Sequence, residues 1–470
     1  MPAWSCDTFV ALPDATRDGV ALLGKNSDRP VRDAQPLRFH PRRRAAPGAG
    51  LALAYTEIPD VPESFAHLGG SPYWCWGHEI GLSEHGVAIG NEALSTRDLA
   101  ANVARAGRGE DVAGGLLGME LVRLGLERGR TAAEAVQVMA DLVERYGQWG
   151  SGLPATPVVE GAYDNSYLVL DPGEAWVLET SGRHWVAKRV ERGTWAVSNQ
   201  PTIRRDWDAA DPDLAAHAVT EGWWPGDPAA LDFARAYTDP GTPLQVSHIR
   251  LARSRQLLAA AREACGVSVP YAKRILRDHY EDTFLGGPYF TAALPDFLTL
   301  CMHSHPAGFT WGDTAASAVC VLPRDGLPHM WWTPGPPCVG AYVPVFPSAG
   351  GVPQPLTRAG TAGPGRPDRV PLDDYADGSY WWRFKRLLEA VKGGELGWTF
   401  DERREVVRAA FDPLEERWAA ELPDVEKRAL ARQDEGAPDR AAAELAAFTE
   451  ACVREAGDVL DRLLGRWAAG

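Results

Sequence analysis

The first thirty residues constrain the fold most. Cys6-Asp-Thr-Phe-Val-Ala-Leu12 is rich in β-branched and aromatic side chains and reads as a strand. Pro13-Asp-Ala-Thr-Arg-Asp-Gly19 is turn chemistry, with Gly19 able to take positive φ. Val20-Ala-Leu-Leu-Gly24 returns as a second strand, and Lys25-Asn-Ser-Asp-Arg29 follows at its end. A hairpin of this shape lays residues 25–29 beside Cys6. A thiol, an ammonium, an amide and a carboxylate are then brought to one place.

Farther along, Trp74 to Asn91 reads as another hairpin, turning near Glu84-His85-Gly86. Helical spacing of apolar residues runs from Val112 to Arg128, and Thr131-Ala-Ala-Glu134 is a capping box opening a helix to about Tyr146. Strands are expected over 166–170, 175–179, 184–189, 194–198, 315–322, 330–333 and 339–345, and helices over 251–265 and 271–279. From Pro347 to Pro371 the chain is rich in Gly and Pro, as a linker or long exposed loop would be. Beyond it the sequence is charged, Ala- and Leu-rich and helical. The expected organisation is a core over 6–346, a linker or loop over 347–372 and a helical extension over 373–470.

Composition narrows the function classes. Among 470 residues, 48 are basic and 63 acidic, a net charge of −15, which argues against nucleic acid as the main partner because phosphate binding needs a clustered basic surface. No stretch approaches the roughly 18–20 apolar residues of a membrane span. The opening MPAWSCDTFVALP lacks the charged and apolar regions of a signal peptide. The seven cysteines are odd in number and scattered, so they read as reduced thiols of a cytoplasmic protein rather than a disulfide framework.

Cys6 carries the chemistry worth weighing. Removal of Met1–Ser5 would make it residue one of the mature chain. Its new α-amino group, with an ordinary pKa of about 7.7–8.0, is a base able to take the thiol proton. Such a site needs a group to orient the amine, a cation near the sulfur and donors for an oxyanion, and the hairpin return offers Lys25, Asn26 and Asp28. Plainer readings stand beside this one. Asp28 and Asn26 also fit Asx turns at a strand end, Asn91 after Gly90 and Asn199 before Gln200-Pro201 also fit turns, and Lys25 and Arg29 also fit a solvated surface. Cys301-Met-His303-Ser-His305 and Cys75-Trp-Gly-His78 supply sulfur and nitrogen, but neither has the paired spacing of a zinc finger. No metal is expected; His303 and His305 are expected to border a cleft, and Trp74, Trp76 and Trp311 to wall a pocket.

Several blocks together resemble the secernin/dipeptidase A family: Cys6 to Leu12, Gly24 to Arg29, Glu84 to Ala93, Asn165 to Glu179, Val197-Ser-Asn-Gln200, Thr314-Ala-Ala-Ser317, Gly335-Pro-Pro-Cys338 and, in the tail, Ser379-Tyr-Trp-Trp382. The resemblance implies an α+β fold, the four-layer αββα sandwich of the N-terminal nucleophile hydrolases. It implies Cys6 as nucleophile, Asp28 as the carboxylate holding the α-amine, and Lys25 in place of an arginine near the sulfur. It makes Asn91 an oxyanion-hole amide and Asn199 an amide positioning the amine. A later active-site arginine has no clean counterpart, and Arg253 is the candidate. The activity implied is cysteine-type cleavage of dipeptides through a thioester, with no cofactor and a small peptide as partner. An acylase for other N-acyl amides and a secernin-like regulatory protein are the alternatives. The helical tail is expected to pack on its own core or a twin subunit, which leaves a homo-oligomer open.

Overall fold

The computed structural model describes residues 5–243, 245–285, 290–295, 298–306 and 310–467. Of the expected leader, only Ser5 lies within them. In chain order the main strands are β1 (Cys6–Ala11), β2 (Ala21–Pro30), β3 (Leu37–His40), β4 (His67–Gly70), β5 (Ile80–Ser83), β6 (Ala88–Leu94), β7 (Asp164–Leu170), β8 (Ala175–Ser181), β9 (His184–Val190), β10 (Thr194–Val197), β11 (Ala209–Ala210), β12 (Gly312–Leu322), β13 (His329–Pro334) and β14 (Val343–Val345). The main helices are α1 (Arg97–Gly107), α2 (Gly118–Arg128), α3 (Ala132–Tyr146), α4 (Gln245–Ala264), α5 (Val269–Leu276), α6 (Tyr380–Lys392), α7 (Phe400–Asp434) and α8 (Pro438–Trp467).

Two antiparallel sheets result. One has the order β10-β1-β2-β12-β13-β14, the other β11-β9-β8-β7-β6-β5-β4-β3. They face each other through β1, β2 and β10 on one side and β6 and β7 on the other. Helices α2 and α3 cover the outer face of the second sheet, and α4, α5, α6 and α8 that of the first. The fold is therefore α+β, with four layers in the order αββα and a helical C-terminal region. Strands covered on both faces read as apolar runs rather than alternations, and β1, β6, β7, β12 and β13 are buried throughout.

The opening hairpin forms as its residues require, with Gly19 at φ +66° and Cys6 opposite Ser27, Asp7 opposite Asn26 and Thr8 opposite Lys25. Strand β2 runs on to Pro30, so Lys25 to Arg29 lie within the sheet instead of in a turn. Side-chain alternation then sorts them. Lys25 reaches the facing sheet at Glu92, whereas Asn26 points to the helix layer and donates to the carbonyl of Leu276 at 2.8 Å. The sheets approach closely here. A Cβ on Gly90 of β6 would stand 2.9 Å from the Lys25 side chain, so glycine keeps that passage open.

Two helix boundaries differ from expectation, and a third segment proves to be the loop alternative. Helix α2 begins only at Gly118, because the N–H groups of Gly115 and Leu116 are spent on the carbonyls of Trp149 and Gly147, both at 2.8 Å. Helix α4 begins at Gln245, six residues before the apolar spacing shows it. The Gly/Pro-rich segment is a loop bound to the core: Tyr73 donates to the Pro371 carbonyl at 2.6 Å, and the Asp373 carboxylate accepts from Gly360, Ala362 and Trp382. The tail likewise shares the main core. Leu387, Phe411, Trp418 and Leu460 pack in the same apolar cluster as Val10 and Trp332. Among the described residues no helix is long and apolar enough to cross a membrane.

Candidate active site

Cys6 opens β1 and is 7% exposed. Its main-chain N–H donates to Asn199 Oδ1 at 2.9 Å, and its Sγ accepts from the Asp28 N–H at 3.3 Å. Both atoms that matter for an N-terminal nucleophile are thus held from opposite sides, by the end of β10 and by β2. The Cys6 carbonyl accepts from Arg250 at 2.9 Å and from Ser198 at 3.4 Å.

Asp28 is buried on the helix side of β2. Ser5 Oγ donates to its Oδ2 at 2.7 Å and Thr314 Oγ1 to its Oδ1 at 2.6 Å. A bulge between Thr314 and Ala316 breaks the β2–β12 register at this point and aims the threonine at the carboxylate. Burial pushes the Asp28 carboxyl up to about 7, against the hydrogen bonds from Thr314 and Ser5 and the Arg250 charge.

The charges around the thiol alternate in sign. Lys25 donates to the Asn91 carbonyl and pairs with Glu92 at 3.4 Å, both partners fully buried. Burial pulls its ammonium down, but the Cys6 sulfur, Glu92 and Glu79 outweigh that and hold it charged. Burial raises Glu92 to about 8, with Lys25 opposing. The Cys6 thiol itself is pushed well up by burial. Lys25 draws it back, and Glu92, Glu79 and Asp28 add to the rise. This thiol needs a base close at hand.

Asn91 follows Gly90 on β6, and its carbonyl holds Lys25. Its side-chain amide sits between Glu79 and Asn165, 2.7 Å from Glu79 Oε2 once oxygen and nitrogen are assigned by their partners. Asn199 donates to the Ala93 carbonyl at 3.0 Å, linking the two sheets. Cys6, Lys25, Asn91 and Asn199 therefore fall into one buried polar layer between the sheets, and Asp28 joins it through its main-chain N–H from the other face of β2.

Arg253 does not. Its guanidinium forks onto Asp278 at 2.5 and 2.9 Å and reaches the Glu281 carbonyl, away from the thiol. One turn earlier on α4, Arg250 is fully buried and bonds Asp7 at 2.6 Å, the Cys6 carbonyl at 2.9 Å and Asn199 Oδ1 at 2.8 Å. The arginine beside Cys6 is Arg250. A helix read from Leu251 onward leaves Arg250 just outside it. Glu92, next to Asn91, also belongs to the layer, and Asp7, next to Cys6, pairs with Arg250 on the helix side of β1; the signal for both is a charge inside an otherwise apolar strand.

The remaining candidates disperse. Trp74 is core and donates to Asp33, and Trp76 lies under the Arg123 guanidinium at 3.8 Å. His305 and Trp311 line a cavity of about 470 Å³ with Val31, Leu294 and Lys392. His303 does not border a cleft. It is buried with Cys301, Cys338 and His279, and one donor atom from each lies within 4.8 Å of all the others. These four could hold a metal ion. Sequence spacing does not reveal them, because the four come from three separate segments.

A strand-opening cysteine, gripped at both nitrogen and sulfur, thus lies in a four-layer αββα sandwich of two facing antiparallel sheets. The family model Peptidase family C69 matches residues 5–221. Two curated proteins are similar. One is "Dipeptidase" of Bifidobacterium longum (strain NCC 2705), 27% identical over 237 residues, which are 46% of this chain and 41% of that protein. The other is "Probable dipeptidase A" of Streptococcus pyogenes serotype M1, 26% identical over 202 residues, 40% of this chain and 37% of that protein. The chain thus matches about two fifths of the length of these relatives. A solved structure of a variant of conjugated bile acid hydrolase from Clostridium perfringens aligns with 69% of this chain and 88% of its own, at 15% identity and a TM-score of 0.37. The family match takes in Cys6, Asp28, Asn91 and Asn199 and ends at residue 221.

Proposed function

We propose that this chain is a cysteine dipeptidase whose nucleophile is freed by removal of Met1–Ser5. The observation carrying the reading is the double grip on Cys6, nitrogen on Asn199 and sulfur on the Asp28 N–H. In the precursor, Sγ attacks the Ser5 carbonyl carbon. The S–C bond forms, the Ser5–Cys6 C–N bond breaks, and the departing nitrogen takes up the thiol proton. Water then hydrolyses the thioester, leaving a Ser5 carboxylate and a free thiol. Asp28 serves this step by fixing the Ser5 hydroxyl, and Arg250 by fixing the carbonyl on the other side of Cys6.

In the mature enzyme the α-amine stays within reach of Asn199 Oδ1 and takes the thiol proton. The sulfur attacks the scissile carbonyl, with Lys25 lowering the cost of the thiolate. The Asn91 amide and main-chain N–H groups stabilise the oxyanion, each such donor being worth about 3–4 kcal/mol. The leaving amine receives the proton from the α-ammonium. Water, deprotonated by the same amine, cleaves the thioester and regenerates the site. One residue both attacks and deprotonates.

The test is a panel of dipeptides set against N-acyl amides, assayed with wild type and Cys6→Ala. Turnover of dipeptides that disappears in Cys6→Ala supports the reading. Turnover confined to N-acyl amides replaces dipeptidase by acylase, and dipeptide turnover that survives the substitution removes Cys6 from the mechanism.

A further inference from the structure

The cluster around Cys338 is outside the layer just described. Cys301, His303, Cys338 and His279 are at most 2% exposed. His303 Nε2 stands 3.2 Å from Cys338 Sγ and 3.7 Å from Cys301 Sγ. In a tetrahedral zinc site with ordinary bond lengths the sulfur–nitrogen edge is about 3.6 Å, so these separations are those of a ligand shell. The outer nitrogens are also placed as metal-bound imidazoles place them. His303 Nδ1 is 2.6 Å from the Ala292 carbonyl, and His279 Nδ1 is 3.1 Å from the Glu281 carboxylate. His279 Nε2 is buried and lies within 4.8 Å of the donor atoms of the other three residues.

We propose that His279, Cys301, His303 and Cys338 bind one zinc ion as a closed, structural S2N2 site. Two sulfurs and two imidazoles select zinc among the common divalent ions. Binding releases two thiol protons to solvent, and two thiolates with two neutral imidazoles cancel the ion's charge. A neutral assembly suits a fully buried place, with the Phe400 ring 4.9 Å from His303. The trio His40, His67 and His78 also converges, but it lacks thiolates.

The ion would clamp the segment after α5, the segment leading into β12 and the β13–β14 connection. The middle segment bears on Asp28. Met302 and Thr314 exchange hydrogen bonds at 2.9 and 3.0 Å, and Thr314 in turn holds the Asp28 carboxylate. Metal binding here is independent of whether Cys6 cleaves peptides.

The experiment is metal analysis of the full chain purified without a histidine tag. Wild type is expected to carry about one zinc per chain, falling at least about tenfold in Cys301→Ser and Cys338→Ser and unchanged in Cys320→Ser. Cys320 is buried in β12 outside the cluster. Cobalt exchanged into wild type is expected to show a thiolate charge-transfer band with tetrahedral d–d bands, a readout that stands if the serine variants fail to fold. Wild type that holds no zinc and gives no such cobalt spectrum, or serine variants that keep the wild-type zinc content, overturns the proposal.

Discussion

Two buried polar clusters lie on either side of Thr314, and they are built oppositely. Around Cys6 the groups are charged and unevenly matched: Lys25 and Arg250 against Asp7, Asp28, Glu79 and Glu92, with two carboxyls raised to about 7 and about 8. Around Cys338, two thiols and two imidazoles converge, and the Glu281 carboxylate holds an outer nitrogen. The first arrangement keeps protons movable near neutral pH. The second suits a fixed ligand shell. Burying a cysteine does not by itself decide its use; the charges around it do.

The largest expected effect separates the two clusters outright. Cys6→Ala retains Met1–Ser5 and lowers kcat/KM on dipeptides by at least about 10³-fold, while its zinc content stays at the wild-type level. Zinc lost along with activity would merge the clusters into one site. Next comes the arginine pair. Arg250→Lys, which gives up the fork joining Asp7, the Cys6 carbonyl and Asn199, is expected to lower kcat/KM on the order of 10²-fold. Arg253→Lys keeps a charge on Asp278 and should stay within about threefold, so equal losses in steady-state assays would contradict the placement of Arg250.

A smaller effect tests the link through Thr314. Cys338→Ser should lower kcat/KM about tenfold and reduce Tm in a thermal melt, because the Met302–Thr314 contacts that hold Asp28 lose their anchor. Unchanged activity in a zinc-free variant would uncouple the clusters. Smallest is a pH effect on stability, measured by urea unfolding in the Cys6→Ala chain, where Ser5 remains on Asp28. The folded-state pKa of Asp28, about 7, lies above its unfolded value, so its contribution is fully present below about pH 4 and is lost as pH rises through 7. Stability should therefore fall between about pH 4 and pH 7, and Asp28→Asn should flatten that slope. A slope that survives the substitution points instead to the other raised carboxyls, among them Glu92, Glu120, Asp164 and Glu179.

Much of this was legible in the sequence because it depends on local rules. The opening hairpin, the Thr131 cap and strands β7 to β10 follow from turn residues, capping and strand composition, and they emerge almost where expected. Four of the candidate residues lie on or beside those strands. What stayed hidden depends on contacts between distant segments. Arg250 is set by the packing of α4 on β1, and its own neighbours, Ser-His-Ile-Arg, carry no helical pattern of apolar residues. The Cys338 cluster unites positions 279, 301, 303 and 338, and only the fold brings them within 4.8 Å. The Gly/Pro-rich segment reads as a linker by composition, yet Asp373 ties it down by accepting three hydrogen bonds.

Intact mass of the purified chain, combined with labelling specific for an amino-terminal cysteine, tests the central claim most directly. The account predicts a mass short by Met1 through Ser5, with Cys6 as the labelled first residue. A chain that keeps those five residues and still hydrolyses dipeptides would contradict it.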